Sequence, residues 1–397
     1  MTSTIKADVV EASTTNGNVT LRGNGTGTVA IGDNTAITGT ATVSSTLGVT
    51  GATTLSGQAY PTAGGLWSGR NMVQNGAMDV AQRGASFTSV TSTAYQIDRF
   101  NYNVSGTVGA ATITQASEGP NGFKNSLKID VTTADASLAA ADRLTLFYRF
   151  EGKDLQRIKK GTADAEKLVL SFWVKATKTG TNIVELYDHD NTRHCAKSYT
   201  VSSSDTWEYK TIEYPADTSG ALDDDNGNSI SMVFGIACGS DFTSGTLATV
   251  WAANVNANRF VGQVNNFDST SNNFQITGVQ LECGDEATPF EYEDYAKTLQ
   301  KCQRYYIEIH PKLNSTTVRG YSQSGISIMG RFQFPTTMRA EPTCAVVGTW
   351  SVSNCGQPSF STFDVSGFTI SAAASGTGQT YFFPDDAAEY LTASAEL

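Results

Sequence analysis

The central part of the sequence alternates apolar and polar residues in short runs, separated by turns rich in Gly, Asn, Asp and Ser. A period of two is typical of strands that bury one face. Many short strands at regular spacing predict an all-β fold with a β-sandwich of the jelly-roll type over 67–299. The clearest runs are 126–131, 144–150, 168–174, 207–214 and 229–234.

The pattern becomes helical at the end of this module. Apolar residues recur three and four positions apart over 295–306, which predicts a linking helix. A shorter helix is predicted over 154–158. Residues 307–397 return to strands with Gly and Ser turns, which predicts a small C-terminal β-sandwich tip. The helical stripe consists of Tyr295, Leu299, Cys302 and Tyr306.

Residues 1–60 have a different pattern, with 24 Gly or Thr residues and an apolar residue at every sixth position from 31 to 55. An even period keeps these apolar residues on one face of an extended chain. One thin ribbon buries too little to be stable alone, so we expect three copies to intertwine as a stem. A flexible linker is the alternative. The row is Ile31, Ile37, Val43, Val49 and Leu55, and residues 61–66 form a hinge after it.

Charge excludes several partners. The 397 residues include 27 Lys and Arg against 38 Asp and Glu, a net charge of -11. This balance disfavours nucleic-acid binding and adhesion to anionic membranes. The sequence has no apolar run long enough to predict membrane insertion. No apolar segment of the kind found in signal peptides follows Met1, so synthesis in a cytoplasm is expected. The six Cys show no close CxxC pair and are expected to be reduced and mostly buried.

Three groups of motifs occur in a fixed order along the chain. The first is RNMVQNGAMDVAQRG at 70–84, followed by YQIDRF at 95–100. The second is ITGVQLE at 276–282, followed by ATPFE at 287–291 and LQKCQRYY at 299–306. The third is FPTTMRAEPT at 334–343. Together they resemble the receptor-binding tail fibres and tail spikes of tailed bacteriophages, although Ala81 and Phe100 stand where that family commonly has Trp.

This resemblance implies a homotrimeric tail protein of the virion, made in the cytoplasm of the bacterial host. Its N-terminal segment would attach to other tail or virion proteins, and a carbohydrate-binding-module-like sandwich would bind a glycan on the host surface. Adsorption without catalysis is expected. The alternatives are a structural virion component that binds no glycan, such as a head fibre or tail adaptor, and a glycan-degrading tail spike. A secreted lectin is disfavoured by the missing signal peptide.

Sugar-binding sites stack sugars on Trp or Tyr and add a few hydrogen bonds from amide or carboxylate groups. Trp173 lies within an apolar run and Trp207 begins a strand, so both are predicted to be core residues. Trp251 is expected to be more exposed, although packing is its commoner role. With the nearby Asn254 and Asn256 it is one candidate ligand-binding group.

The tip offers a second candidate. Distal loops on a rigid sandwich are a common place for recognition, and Tyr321 and Gln323 belong to such a polar loop. Arg304, Tyr305 and Tyr306 end the linking helix, and the family resemblance implies that they pack the joint between the two β-domains and the three-fold axis.

Metal binding and catalysis have weak sequence support. Asp223, Asp224 and Asp225 form an acidic turn that would suit a structural calcium ion, but Leu222 breaks the EF-hand spacing and a solvated turn is the commoner structure. A hairpin over 188–195 would bring His189 and His194 near each other. Such a pair could bind zinc, but an ordinary polar hairpin tip is the commoner structure. No spacing selects a nucleophile with a base or a pair of opposed carboxylates. No cofactor is expected.

Overall fold

The computed structural model describes residues 53–55, 58–60 and 69–397, with side chains from residue 69 onward. The predicted all-β class is confirmed. Strands β1 (Thr53–Leu55) and β2 (Gln58–Tyr60) form a short antiparallel hairpin. The rest of the predicted stem and the hinge lie outside the described residues, so the intertwined trimer stays a prediction. No helix in the described part of the chain is long and apolar enough to cross a membrane.

The first sandwich consists of two antiparallel sheets. Its strands are β3 (Ser86–Val90), β4 (Ala94–Ile97), β5 (Phe100–Ser105), β6 (Ala110–Ala116), β7 (Ser126–Thr133), β8 (Arg143–Glu151), β9 (Leu168–Ala176), β10 (Gly180–Asp188), β11 (Arg193–Val201), β12 (Glu208–Tyr214), β13 (Asn228–Cys238), β14 (Ala252–Ala253) and β15 (Asn273–Cys283). The seven-stranded sheet has the order β14-β11-β10-β13-β8-β5-β4, and the six-stranded sheet has the order β12-β9-β15-β7-β6-β3. All five strands that the alternating pattern predicted most clearly are present.

The main core lies between these sheets and follows the alternation of the strands. In β8, Leu144, Leu146 and Tyr148 point inward and are at most 1% exposed. Phe147 points to the opposite face, where it joins a smaller apolar cluster with Val233, Phe242 and Phe260. The segment that follows β13 thus covers part of the outer face of the seven-stranded sheet.

The helices are few and short: α1 (Gly152–Leu155), a 3-10 helix (Gln156–Ile158), α2 (Ser240–Thr243), a second 3-10 helix (Asn256–Asn258) and α3 (Tyr295–Gln303). The helix predicted over 154–158 corresponds to α1 and the first 3-10 helix. Helix α3 begins at Tyr295 as predicted but ends three residues early, because strand β16 starts at Tyr306. The six cysteines are unpaired, and four of them are buried.

The C-terminal tip is built from three small antiparallel sheets. Its strands are β16 (Tyr306–Ile309), β17 (Val318–Ser322), β18 (Ser327–Gln333), β19 (Thr343–Val347), β20 (Ser351–Ser353), β21 (Ser359–Asp364), β22 (Gly367–Ala373), β23 (Gly378–Phe383) and β24 (Tyr390–Ser394). The sheets are β16-β24-β19, β17-β23-β20 and β18-β22-β21. They enclose a separate core around Trp350, Phe368 and Phe382.

The joint between the two sandwiches is a buried network of charged and aromatic residues. The Glu151 carboxylate accepts two hydrogen bonds from Arg304, with N–O distances of 2.8 and 2.7 Å, and a third from the Tyr305 hydroxyl. Tyr305 is fully buried, and the Arg99 guanidinium lies 3.3 Å from its ring centroid. Glu396 pairs with Arg99 at 3.1 Å. These contacts tie the end of the tip to the first sandwich.

The opening and closing motifs of the first sandwich also meet. Asn71 donates to the Val279 carbonyl at 3.2 Å and accepts from the Leu281 amide at 3.2 Å. The Glu291 carboxylate accepts from the Asn71 amide at 2.8 Å. A Cβ on Gly76 would lie 2.1 Å from the Val279 carbonyl oxygen, so this position requires glycine. The family-like motifs therefore hold the fold together.

Candidate functional site: an aromatic strip on the six-stranded sheet

The outer face of the six-stranded sheet presents aromatic side chains. Trp173 of β9 lies opposite Tyr209 of β12 in the strand register. Their ring centroids are 5.2 Å apart, and Tyr209 is 44% exposed. The neighbours Phe172 and Val174 point into the core, so Trp173 points outward and is half-buried. The prediction that Trp173 is a core residue was therefore wrong. The same prediction for Trp207 was also wrong, because Trp207 is half-buried outside the core. Lys175 Nζ lies 5.9 Å from the Trp207 ring centroid.

A second aromatic group comes from two loops beside this pair. Phe123 lies between β6 and β7, and Phe290 and Tyr292 follow β15. The Phe123 ring stacks on Tyr292 at 5.5 Å between centroids and meets Phe290 edge-on at 4.9 Å. Tyr292 is 61% exposed. This group therefore presents one widely exposed ring on a packed base.

Gly278 lets the two groups approach each other. It lies in a bulge of β15 with φ +61, a backbone conformation that favours glycine. A Cβ there would lie 2.7 Å from Cζ of Phe123 and 3.1 Å from Cδ1 of Trp173. Both rings therefore pack against the Gly278 backbone, where no side chain separates them. We call Tyr209, Trp173, Phe123 and Tyr292 the aromatic strip.

The strip leads at its Tyr292 end into a polar cleft of about 230 Å³. Asp79 and Lys297 help to line this cleft. Asn125 donates to the Asp79 carboxylate at 2.9 Å. Burial raises the pKa of the Tyr292 hydroxyl, and the Asp79 charge adds to this effect, so the hydroxyl stays protonated at neutral pH. Donors and acceptors thus stand beside an exposed ring.

Polar groups also flank the other end of the strip. Burial raises the pKa of the Tyr209 hydroxyl, and the interaction with the Ser171 side chain of β9 opposes this rise. Lys175, on the same face of β9, pairs with Glu118. Apolar ring faces bordered by hydroxyl, amide and charged groups are suited to a sugar ring, which has an apolar face and a polar rim.

The first group of predicted ligand residues lies at the edge of the seven-stranded sheet. Trp251 is half-buried against the main core, and its Nε1 donates to the Pro215 carbonyl at 2.9 Å. Lys160 Nζ lies 5.3 Å from its ring centroid. This bond holds the Trp251 indole against the sandwich, and Trp251 is half-buried, as Trp173 and Trp207 are. Asn254 directly follows β14, and Asn256 begins the second 3-10 helix. Asn254 Nδ2 lies 3.5 Å from Asn256 Oδ1.

The second predicted group lies in the tip. Tyr321 is the penultimate residue of β17 and is 78% exposed, and Gln323 is exposed just after the strand. No contact among the described residues joins them to Trp251. The predicted residues therefore form two separate places, and their role in binding stays a prediction.

The acidic turn and the histidine hairpin have ordinary structural partners. The Asp225 carboxylate accepts from the Gly227 amide at 2.7 Å, and Asp223 and Asp224 are exposed in the same turn. His189 bonds Ser231 at 2.8 Å, while His194 is buried against Glu185 at 2.7 Å. No group of three or more His, Cys, Asp or Glu residues suited to a metal ion occurs within residues 69–397.

One signal for the strip was present in the sequence. In β9, Ser171, Trp173 and Lys175 share one face by alternation, while Leu170 and Phe172 share the other. A Trp in register with Ser and Lys is expected on the polar face. The contribution of Phe123 and Tyr292 could not be predicted in this way, because loops bring them to the sheet.

Comparison with known proteins finds similar folds at low identity. No protein-family model matches the sequence, and no curated protein does. The enzymatically active domain of tailspike protein 4 of bacteriophage CBA120 matches with 13% identity and a TM-score of 0.30, over 54% of this chain and 21% of that domain. A putative sugar-binding protein of Bacteroides thetaiotaomicron matches with 14% identity and a TM-score of 0.31, over 54% and 100%.

A family 11 carbohydrate-binding module from Clostridium thermocellum, solved with a mixed-linked tetrasaccharide, matches with 14% identity and a TM-score of 0.26, over 51% of this chain and 99% of the module. The chain thus spans about a fifth of the tailspike domain. These likenesses concern the fold alone, and the function is inferred from the residues of the site.

Proposed function

We propose that this chain is an attachment protein of a bacteriophage tail and that the aromatic strip binds a glycan of the host cell surface. The observation that carries the proposal is the pairing of exposed rings, Tyr209 with Trp173 and Tyr292 with Phe123, on one sheet face. Rings held by a packed sheet lose little conformational freedom on binding, which favours affinity.

Stacking and hydrogen bonds have separate roles in this proposal. Sugar faces stack on the rings, and the polar groups at Asp79 and Lys175 select among hydroxyl patterns. The ligand is bound and released without chemical change, so the mechanism is adsorption and not turnover. A glycan-degrading spike would instead release reducing ends from the polysaccharide, which a reducing-sugar assay detects.

Three copies would make weak sites effective. Linked sites raise the effective concentration of the second and third binding events, so overall avidity far exceeds the affinity of one site. The six-residue repeat over 31–55 supports a trimeric stem, and the family resemblance implies that this N-terminal part attaches to the virion. We propose the virion tail as the location of the protein, with other tail proteins as its partners.

The test is a printed array of bacterial surface glycans probed with the full-length protein and with two matched variants. Tyr209→Ala removes an exposed ring of the strip, and Tyr321→Ala removes an exposed ring of the tip. We expect Tyr209→Ala to weaken binding roughly 2- to 10-fold for each site, since an aromatic contact contributes about 0.5–1.5 kcal/mol. Tyr321→Ala is expected to bind as the unmodified protein does.

The reverse result would place the binding site in the tip. No glycan bound by the unmodified protein would contradict the proposal and favour a structural virion component such as a head fibre or tail adaptor.

A further inference from the structure

The aromatic strip has two different ends. At one end, Tyr209 lies exposed on β12, which is an edge strand of the six-stranded sheet, and no strand of the described residues lies beyond it. At the other end, the strip meets the polar cleft that Phe290 and Tyr292 help to line. A glycan chain laid along the strip can therefore continue past Tyr209, whereas at Tyr292 it meets the cleft.

Two segments form the walls of this cleft. Residues 69–79 supply one wall, and residues 290–301, which include most of α3, supply the other. Glu291 joins the walls, because its carboxylate accepts hydrogen bonds from the Gly69 amide at 2.5 Å and the Asn71 amide at 2.8 Å. Within residues 69–397, the two walls are thus tied together, and no passage leads between them where they join.

The size of the cleft fits one sugar residue. Its volume is about 230 Å³, and a water molecule takes about 30 Å³ in the liquid, so the cleft has room for roughly eight waters. This is the space of a single sugar residue and not of two. The Asp79 carboxylate and the exposed side chains of Asp294 and Lys297 line the cleft and can bond hydroxyl groups.

We propose that the cleft binds the terminal sugar residue at the free end of a linear host glycan, while the residues behind it stack on the aromatic strip. This inference rests on the proposed function and adds that the protein binds chain ends and not internal stretches. A terminal residue carries a free hydroxyl where an internal residue carries the next sugar. Because the walls meet at Glu291, the cleft accepts this hydroxyl and excludes a further sugar. Asp79 and Lys297 hydrogen-bond the hydroxyls of the terminal residue.

The test varies the number of chain ends at constant mass. The probe is a polysaccharide built from the glycan that binds most strongly on the array, used intact and after partial acid hydrolysis. Each form competes with the printed glycan for the full-length protein. Hydrolysis to fragments about one tenth as long multiplies the chain ends about tenfold, so mass action predicts that the fragments compete at about one tenth of the mass concentration. Binding of internal stretches predicts no gain, since a long chain engages several linked sites at once.

Three variants test the role of the cleft. Ala77 lines the cleft, so Ala77→Leu fills part of it. We expect this variant to bind the fragments about tenfold more weakly, because the hydrogen bonds of the terminal residue are lost, and to lose the advantage of fragments over intact chains. Ala85→Leu, at an exposed alanine outside the cleft, is the matched control and should behave as the unmodified protein does. Trp173→Ala should weaken the binding of both forms by the same factor, because Trp173 contacts the residues behind the terminal one.

Equal or weaker competition by the fragments would overturn the proposal and leave the proposed function in place. An unchanged advantage of the fragments in Ala77→Leu would overturn it as well. If no glycan on the array binds, the proposed function is contradicted and this inference with it. The comparison of intact and hydrolysed polysaccharide uses unmodified protein, so it decides the question even if the Ala77 variant does not fold.

Discussion

Replacing Glu151 by Gln tests the account of the joint between the two sandwiches. The Glu151 side chain is 2% exposed and that of Arg304 is 31% exposed. In the variant, an amide NH₂ would face the donors of Arg304, and a buried ion pair would lose one partner. Loss of one partner from a buried pair costs about 3–5 kcal/mol. Because Arg304 is partly exposed, we expect the lower end of this range, about 3 kcal/mol.

The assay is thermal unfolding followed by calorimetry. At roughly 2–4 °C per kcal/mol, a loss of about 3 kcal/mol lowers the melting temperature by about 6–12 °C. We also expect the tip to unfold separately, because the network that ties it to the first sandwich is broken. Glu166→Gln is the control, since Glu166 pairs with Lys159 at 2.7 Å on the surface and should leave the melting temperature almost unchanged. Equal effects of the two variants would refute the reasoning.

Two further predictions concern the aromatic strip and the histidine hairpin. Gly278→Ala should lower the free energy of unfolding by at least about 1 kcal/mol, because its backbone is left-handed. It should also weaken glycan binding, because the new Cβ would lie 2.7 Å from Phe123 and force the rings apart. Gly325→Ala, with φ +80 and no atom within 4 Å of its Cβ, should show only the backbone cost, and equal binding in both variants would contradict the contact. His189 should titrate below its ordinary pKa of about 6.5, because burial and Arg149 disfavour its charge. The unfolded chain then takes up the proton first, so stability is lost as the pH falls below about 6.5. A midpoint above 6.5 in a histidine NMR titration would contradict this.

Local pattern was enough to predict most of the first sandwich. The runs at 126–131 and 168–174 alternate cleanly because one face of each strand meets the core. Helix α3 was also evident from its spacing. Its end was not, because the pairing of Tyr306 with Ser394 in β24 takes up residues that a helical pattern would continue through.

The candidate site was harder to predict because its residues meet only in the folded chain. Trp173 and Tyr209 are 36 positions apart in the sequence and become neighbours through strand pairing. Tyr292 reaches the strip from a loop. The family-like motifs pointed elsewhere, to residues such as Arg304 and Asn71, whose contacts hold the fold. The four rings of the strip lie outside these motifs, whereas Gly278, Phe290 and Asp79, which lie beside the rings, belong to them.

The most direct test of the central claim is an NMR titration of the indole N–H signals with the glycan that binds most strongly on the array. The chain has five Trp residues. Trp173 lies in the strip, whereas Trp350 is 2% exposed in the core of the tip. The account predicts a saturable shift of the Trp173 signal while the Trp350 signal stays in place. Saturated binding that leaves the Trp173 signal unmoved would contradict it.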